Sequence, residues 1–106
     1  MANSRAKGAR GERELAAVLR EYGYATRRGQ QYSGANGDPD VIGVPGLHIE
    51  CKRVEQLNIG KAMEQSMDDA RAGEIPVVMH KKNRKPWLVT LPLTCFMEIW
   101  EERKNV

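Results

Sequence analysis

Residues 37–53 read GDPDVIGVPGLHIECKR, and the reading of this stretch decides the fold. Pro45-Gly46 is a pair suited to a tight turn, and apolar residues stand on either side of it, so the segment predicts a hairpin of two strands over 41–44 and 47–52. Side chains alternate across a strand with a period of two. That places His48, Glu50 and Lys52 on one face and Ile49 and Cys51 on the other. Asp40 stands where the first strand begins. Strand interiors exclude such charges unless they face water or have a job, so the hairpin raises a functional question as well as a structural one.

Outward from the hairpin, the spacing of Leu15, Ala16, Val18, Leu19 and Tyr22 predicts a helix over 4–22, with Gly23 placed to end it. Continued backward, that apolar stripe meets Glu12, Gly11 and Gly8. A carboxylate there is either paired or metal-bound, or it sits where the stripe leaves the core and is merely wet. Residues 24–28 form a short strand, followed by the polar, glycine-rich GQQYSGANGDP loop. A second helix is expected over 59–72 through Ile59, Ala62, Met63, Met67 and Ala70, with its methionines filling the core and Gly73 as its stop. Gln65 falls off that stripe, which suits either a site-facing role or plain exposure. IPVVMH at 75–80 and PWLVTL at 86–91 read as strands around the basic turn KKNRK. A closing amphipathic helix is expected over 93–103 with Phe96, Met97 and Trp100. Trp87 and Trp100 fit core positions better than base-stacking ones. The order is helix, three strands, helix, two strands, helix, an α/β architecture on a mixed central sheet flanked by helices, in a single domain spanning 1–106.

Composition bounds the function. A chain of 106 residues with 41% hydrophobic and 29% charged residues is one soluble domain, and no window reaches the roughly 20 apolar residues of a membrane span. The basic amino terminus lacks the apolar run of a secretory signal, so a cytoplasmic, non-membrane protein is expected. Cys51 and Cys95 belong to no zinc-type spacing and read as buried free thiols. The net charge of +3 is modest, but the cations cluster: Arg5, Lys7, Arg10 and Arg13, then Arg27 and Arg28, then Lys81, Lys82, Arg84 and Lys85. Each cluster taken alone is an ordinary solvated face. Together they suit nucleic acid.

If Asp40, Glu50 and Glu12 meet, two carboxylates ~5 Å apart repel by roughly 3 kcal/mol at an effective dielectric of 20, so a proton or a cation must join them. Oxygen ligands without a histidine or cysteine set favour Mg2+, with Mn2+ able to substitute. Lys52 would reach the same place, where an ammonium can orient water or stabilise charge on a phosphate. His48, at the turn end of the strand, reads as a polar edge residue.

These residues resemble the PD-(D/E)XK nuclease superfamily, through Pro39-Asp40 followed by Glu50-Cys51-Lys52. Lys7-Gly8-Ala9-Arg10-Gly11-Glu12-Arg13 is similar to the opening helix of Holliday-junction-resolvase-like members. IPVVMHKKN and PWLVTL are similar to the later strands of small phage and bacterial nucleases of this group, and the chain as a whole resembles a small resolvase-like or VRR-NUC-like member. Gln65, within MEQSMDDA, is similar to a glutamine that many members carry near the active site. The resemblance implies a restriction-endonuclease-like core and a Mg2+-dependent DNA endonuclease. It further implies metal ligation by Asp40, Glu50 and the Cys51 backbone carbonyl, support from Glu12 directly or through water, and catalytic roles for Lys52 and Gln65. Arg53 follows the Glu-Cys-Lys triplet where archaeal resolvases often carry serine, which leaves junction specificity open. DNA contacts are expected from Lys7, Gly8, Arg10, Arg13, Arg27, Arg28, Ser33, Lys81, Lys82, Arg84 and Lys85, on a branched or duplex substrate. A flap or duplex-end nuclease and a non-cutting DNA-binding module are the alternatives. Paired nicks require two sites, so a homodimer is expected. Phe96, Ile99 and Trp100 are its candidate interface, although Phe96 and Trp100 suit a cover for the sheet better.

Overall fold

The computed structural model describes residues 4–30 and 38–105, and the side chains from residue 7 onward within them. Tyr32 and Ser33 lie outside the described residues, as does the side chain of Arg5. The elements run α1 (Ser4–Glu21), β1 (Arg27–Arg28), β2 (Val41–Ile42), β3 (Leu47–Arg53), α2 (Ile59–Asp69), β4 (Ile75–Lys81), β5 (Leu88–Thr90) and α3 (Leu93–Lys104). This is the order expected from the hydrophobic periods. The strands form one five-stranded sheet in sequence order, antiparallel throughout except for β3 and β4, which are parallel. Parallel neighbours require a crossover, and α2 supplies it.

Two layers sandwich the central pair of strands. Leu15 and Ala16 of α1 pack on Ile49, Cys51, Val77, Met79 and Val41, which form the main apolar core. The parallel register pairs Ile49 with Val77 and Cys51 with Met79, so this face continues across the strands. The opposite face carries His48, Glu50 and Val78 beneath α2, whose buried residues are Ala62 and Ser66. α1 can lie close to β3 because Gly11 has no side chain. A Cβ there would stand 2.7 Å from the Arg53 Cβ. At the hairpin turn Gly46 takes φ +84, a conformation few other residues accept.

Several expectations are corrected. The edge strands are shorter than the sequence suggests, and β1 starts only at Arg27 because Thr26 turns inward to donate its hydroxyl to the Ala16 carbonyl at 2.6 Å. α2 stops at Asp69, since Ala70 is extended and the Arg71 N–H goes to Glu74 Oε1 at 2.8 Å rather than to a helix carbonyl. Met67 is exposed, so the face of α2 that meets the sheet runs through Ala62 and Ser66 and not through the methionine. Trp87 packs against the core as expected, but Trp100 and Phe96 do not cover the sheet. α3 has no buried residue among those described, and Leu88 and Val89 of β5 are likewise uncovered. Phe96 and Trp100 instead stack on each other at 6.1 Å, with Arg103 over the Trp100 ring. Among the described residues no helix is long and apolar enough to cross a membrane.

Candidate active site

At the carboxyl end of β3 the sheet emerges between the amino-terminal half of α1 and the middle of α2. A cleft of about 450 Å³ opens there, lined by Lys7, Gly8 and Glu12 of α1, by Asp40, by residues 50–54 and by Gln65 of α2. The sequence-predicted set of Asp40, Glu50, Lys52, Glu12 and Gln65 is therefore brought to one place by α1, β3, α2 and the segment that leads into β2. A second cleft of about 340 Å³ shares Lys7, Arg53 and Val54 with it and adds Arg10, Glu14 and Asn83.

Asp40 lies just before β2, and its main chain bridges the neighbouring strands: its N–H donates to the Ile49 carbonyl and its carbonyl accepts from Gly29. Its carboxylate Oδ2 accepts the Cys51 N–H at 2.9 Å. In a strand the N–H and C=O of one residue point to the same side, so the Cys51 carbonyl faces the edge where the Asp40 carboxylate stands. The Cys51 thiol turns the other way into the core, where burial first and the Asp40 charge second push it up to about 12. Its side chain is inert packing.

Glu50 is almost fully buried and hydrogen-bonds Asp40. Burial first, and the neighbouring Asp40 charge second, raise its carboxyl to about 8, with Lys52 pulling in the opposite direction. Two carboxyl groups so close share a proton unless a cation replaces it. Glu12 is also raised, by burial first, while Arg28 Nε donates to its Oε1 at 3.0 Å and opposes the shift. The Asp40 charge contributes to the Glu12 shift as well, which ties the three carboxyl groups into one electrostatic unit. This oxygen-rich, charge-strained set fits a hard divalent cation, because a cation is what such a set lacks.

The basic residues divide. Lys7 and Arg10 line the two joined clefts. Arg28 is engaged with Glu12, whereas Arg13, Arg20, Arg27 and Arg28 together line a pocket of about 420 Å³ beside the core-facing side of α1. Lys82, Arg84 and Lys85 are exposed on the turn after β4, with Lys81 half-buried, and the turn is tied toward the cleft by the Asn83 N–H donating to Glu55 Oε2. Arg53, which follows the Glu-Cys-Lys triplet, binds Glu14 of α1 at 3.2 Å and so pins the end of β3 to that helix.

His48 is the clearest correction. It is 1% exposed and not a polar edge residue. Its Nδ1 meets Glu74 Oε1 at 3.2 Å, and its Nε2 lies 3.3 Å from Glu50 Oε1. Asp69, at the end of α2, joins the same group. Glu74 and Asp69 carried no local signal, although Ala62, Ser66 and Asp69 share one helical face at i, i+4 and i+7 and could have marked Asp69 as facing the sheet.

A model of the family described as "Phage putative PDDEXK endonuclease" matches residues 3–106. Among solved structures, the chain resembles Hjc, a Holliday junction resolvase from the archaeal hyperthermophile Archaeoglobus fulgidus, at 30% sequence identity and a TM-score of 0.61, over 80% of this chain and 72% of that one. No curated protein matches. The fold is thus restriction-endonuclease-like, as the mixed sheet and its flanking helices indicate.

Proposed function

The chain belongs to that phage PDDEXK endonuclease family, and from this premise we propose that it is a Mg2+-dependent endodeoxyribonuclease that acts on branched DNA of the four-way-junction kind. One observation carries the reading: Asp40 and the buried Glu50 line one cleft with Lys52, and burial with the Asp40 charge keeps a proton on Glu50 up to about pH 8 unless a cation replaces it. A pure DNA binder gains nothing from such an arrangement facing phosphate. The likeness to a Holliday junction resolvase supports the junction as substrate.

Asp40, Glu50 and the Cys51 carbonyl would hold the ion, with Glu12 contributing directly or through water. When bound, Mg2+ polarises the phosphate and acidifies water, and Mn2+ can take its place. The remaining work falls to the chain itself. The Cys51 N–H aims the Asp40 carboxylate, and Arg28 holds Glu12 at the cleft wall. Lys52 orients the attacking water and offsets charge on the phosphate, and Gln65 at the rim offers an amide to water or phosphate oxygen. Lys7 and Arg10, the Gly8 backbone, Arg13, Arg27 and the turn of Lys81, Lys82, Arg84 and Lys85 bind the DNA backbone without reading sequence.

The exposed apolar face of α3, through Phe96, Ile99 and Trp100, supports a homodimer that presents two sites to the two strands of a junction. A cleavage panel of four-way junction, flap, duplex and single-stranded DNA, with and without Mg2+, tests the reading, with sedimentation at micromolar concentration beside it. Paired cuts in the junction, Mg2+ dependence and a dimer are expected. Full activity in chelator would remove the metal assignment, and trimming of ends by a monomer would move the substrate away from junctions.

A further inference from the structure

We propose that His48, Glu50 and Asp69 form a second cation site, suited to a first-row transition ion such as Mn2+, that lies behind the cleft and shares Glu50 with it. The proposal goes beyond the nuclease reading and stands on its own geometry, with Glu50 the one residue common to both sites. His48 and Glu50 project from the same face of β3, and Asp69 approaches from the carboxyl end of α2. One ligand-capable atom from each lies within 4.8 Å of the others.

The arrangement around His48 sets its chemistry. The ring is 1% exposed, and Nδ1 meets Glu74 Oε1 at 3.2 Å, an oxygen already fixed by the Arg71 N–H at 2.8 Å. A carboxylate only accepts, so Nδ1 carries a proton toward Glu74, and a cation held at Nε2 would take the ring's remaining lone pair. That lone pair points into the group, 3.3 Å from Glu50 Oε1, and Nε2 is without a hydrogen-bond partner among the described residues. A ring nitrogen beside carboxylate oxygens, deep in the protein, is matched by a positive centre between them, here a cation in place of a proton. A carboxylate behind one ring nitrogen and an open lone pair on the other is the arrangement that metal-bound histidines adopt.

The donor set also differs in kind from that of the cleft. Asp40, Glu50 and a carbonyl present only oxygen, whereas the site behind adds an imidazole, which shifts preference from Mg2+ toward Mn2+, Co2+ or Zn2+. Ligands at ~2.1 Å from such an ion stand ~3 to 3.5 Å apart, so occupancy draws Asp69 inward by about an ångström. Asp69 is the last residue of α2 and half-buried, where a side chain can make that movement. His48 and Asp69 do not line the cleft, and the site meets it only through Glu50. Its ion acts on Glu50, holding one carboxylate oxygen so that the other stays ionised and aimed at the cleft.

The test is pulsed electron paramagnetic resonance of Mn2+ bound to the Asp40→Asn protein, in which the cleft set is disabled. Coupling of the Mn2+ electron spin to an imidazole 14N is expected. It should persist in a His80→Gln background, the chain having only two histidines, and vanish in His48→Gln. Because His48 is buried and its replacement can disturb folding, Asp69→Asn and Glu74→Gln serve as milder variants, each expected to weaken Mn2+ binding about 10-fold or more. Absence of nitrogen coupling at saturating Mn2+, or Asp69→Asn and Glu74→Gln proteins that bind like their parent, overturns the site and assigns a proton to the gap. DNA cleavage by the unsubstituted protein is read separately. Cleavage without nitrogen coupling overturns this site alone, and nitrogen coupling without cleavage overturns the nuclease reading alone.

Discussion

The two faces of β3 are buried to the same degree and built from opposite chemistry. Ile49 and Cys51 look toward α1 and pack into the apolar cluster with Leu15, Ala16, Val77 and Met79. His48 and Glu50 look toward α2 and meet Ser66, the carboxyl groups of Asp40, Asp69 and Glu74, and each other. Burying the first face stabilises the chain through removal of apolar surface from water. Burying the second costs desolvation, which is recovered only where each polar atom finds a partner. One strand thus carries the core on one side and the chemistry on the other, and the backbone that joins them transmits the rigidity of the first to the second.

If that division holds, substitutions on the two faces should fail in different assays. The largest effect is expected from Asp40→Asn and Lys52→Ala, which should lower cleavage by at least ~1000-fold while leaving thermal unfolding and DNA affinity largely intact, since the groups act on the phosphate. Wild-type rates in either would remove the site assignment. Ile49→Ala should do the reverse, costing about 2–4 kcal/mol in chemical denaturation while the folded fraction still cuts.

The Glu50 carboxyl sharpens the comparison through pH. Its value near 8 in the folded chain lies well above the ordinary carboxylate range, so between about pH 4.5 and pH 8 the folded state retains a proton that the unfolded state has lost. Its contribution to stability is fully present below that window and is lost as pH rises through it. Metal-free protein should therefore melt at lower temperature at pH 8 than at pH 5.5, divalent cation should close the gap, and Glu50→Gln should flatten the dependence. A metal-free melting temperature that rises with pH across this window in the unsubstituted protein, but not in Glu50→Gln, would contradict that direction.

Smaller still, Ser66→Ala should cost about 1 kcal/mol. Its hydroxyl lies 3.2 Å from the carbonyls of both His48 and Val77 and links α2 to the two central strands. Neutralising Lys81, Lys82, Arg84 and Lys85 should leave folding unchanged and reduce the log-log salt slope of duplex binding by about 0.9 for each phosphate that the turn no longer neutralises. An unchanged slope would return the turn to solvent.

Local pattern determined a good deal by itself. The alternation in LHIECKR assigned Glu50 and Lys52 to one face and Ile49 and Cys51 to the other, and the turn at Pro45-Gly46 set the register that brings Asp40 beside Cys51. The position of Glu12 at the edge of an apolar stripe was likewise visible, and the element order followed from the periods of the segments. These features depend on neighbours a few residues apart, where backbone geometry is nearly the same in every protein.

Tertiary structure alone decided what covers each face. Period two says that His48 and Glu50 point together, but only the seating of α2 on β3 and β4 buries them and brings Asp69 and Glu74 to the histidine. The choice between a wet Glu12 and a paired one was settled by Arg28, sixteen residues away and on another element. The same holds for α3, whose aromatic residues suit a core in sequence and lie exposed because no other element of the described chain presents an apolar face to them. Burial and pairing are properties of surfaces that meet across the fold, and a segment's own pattern carries no record of its partner.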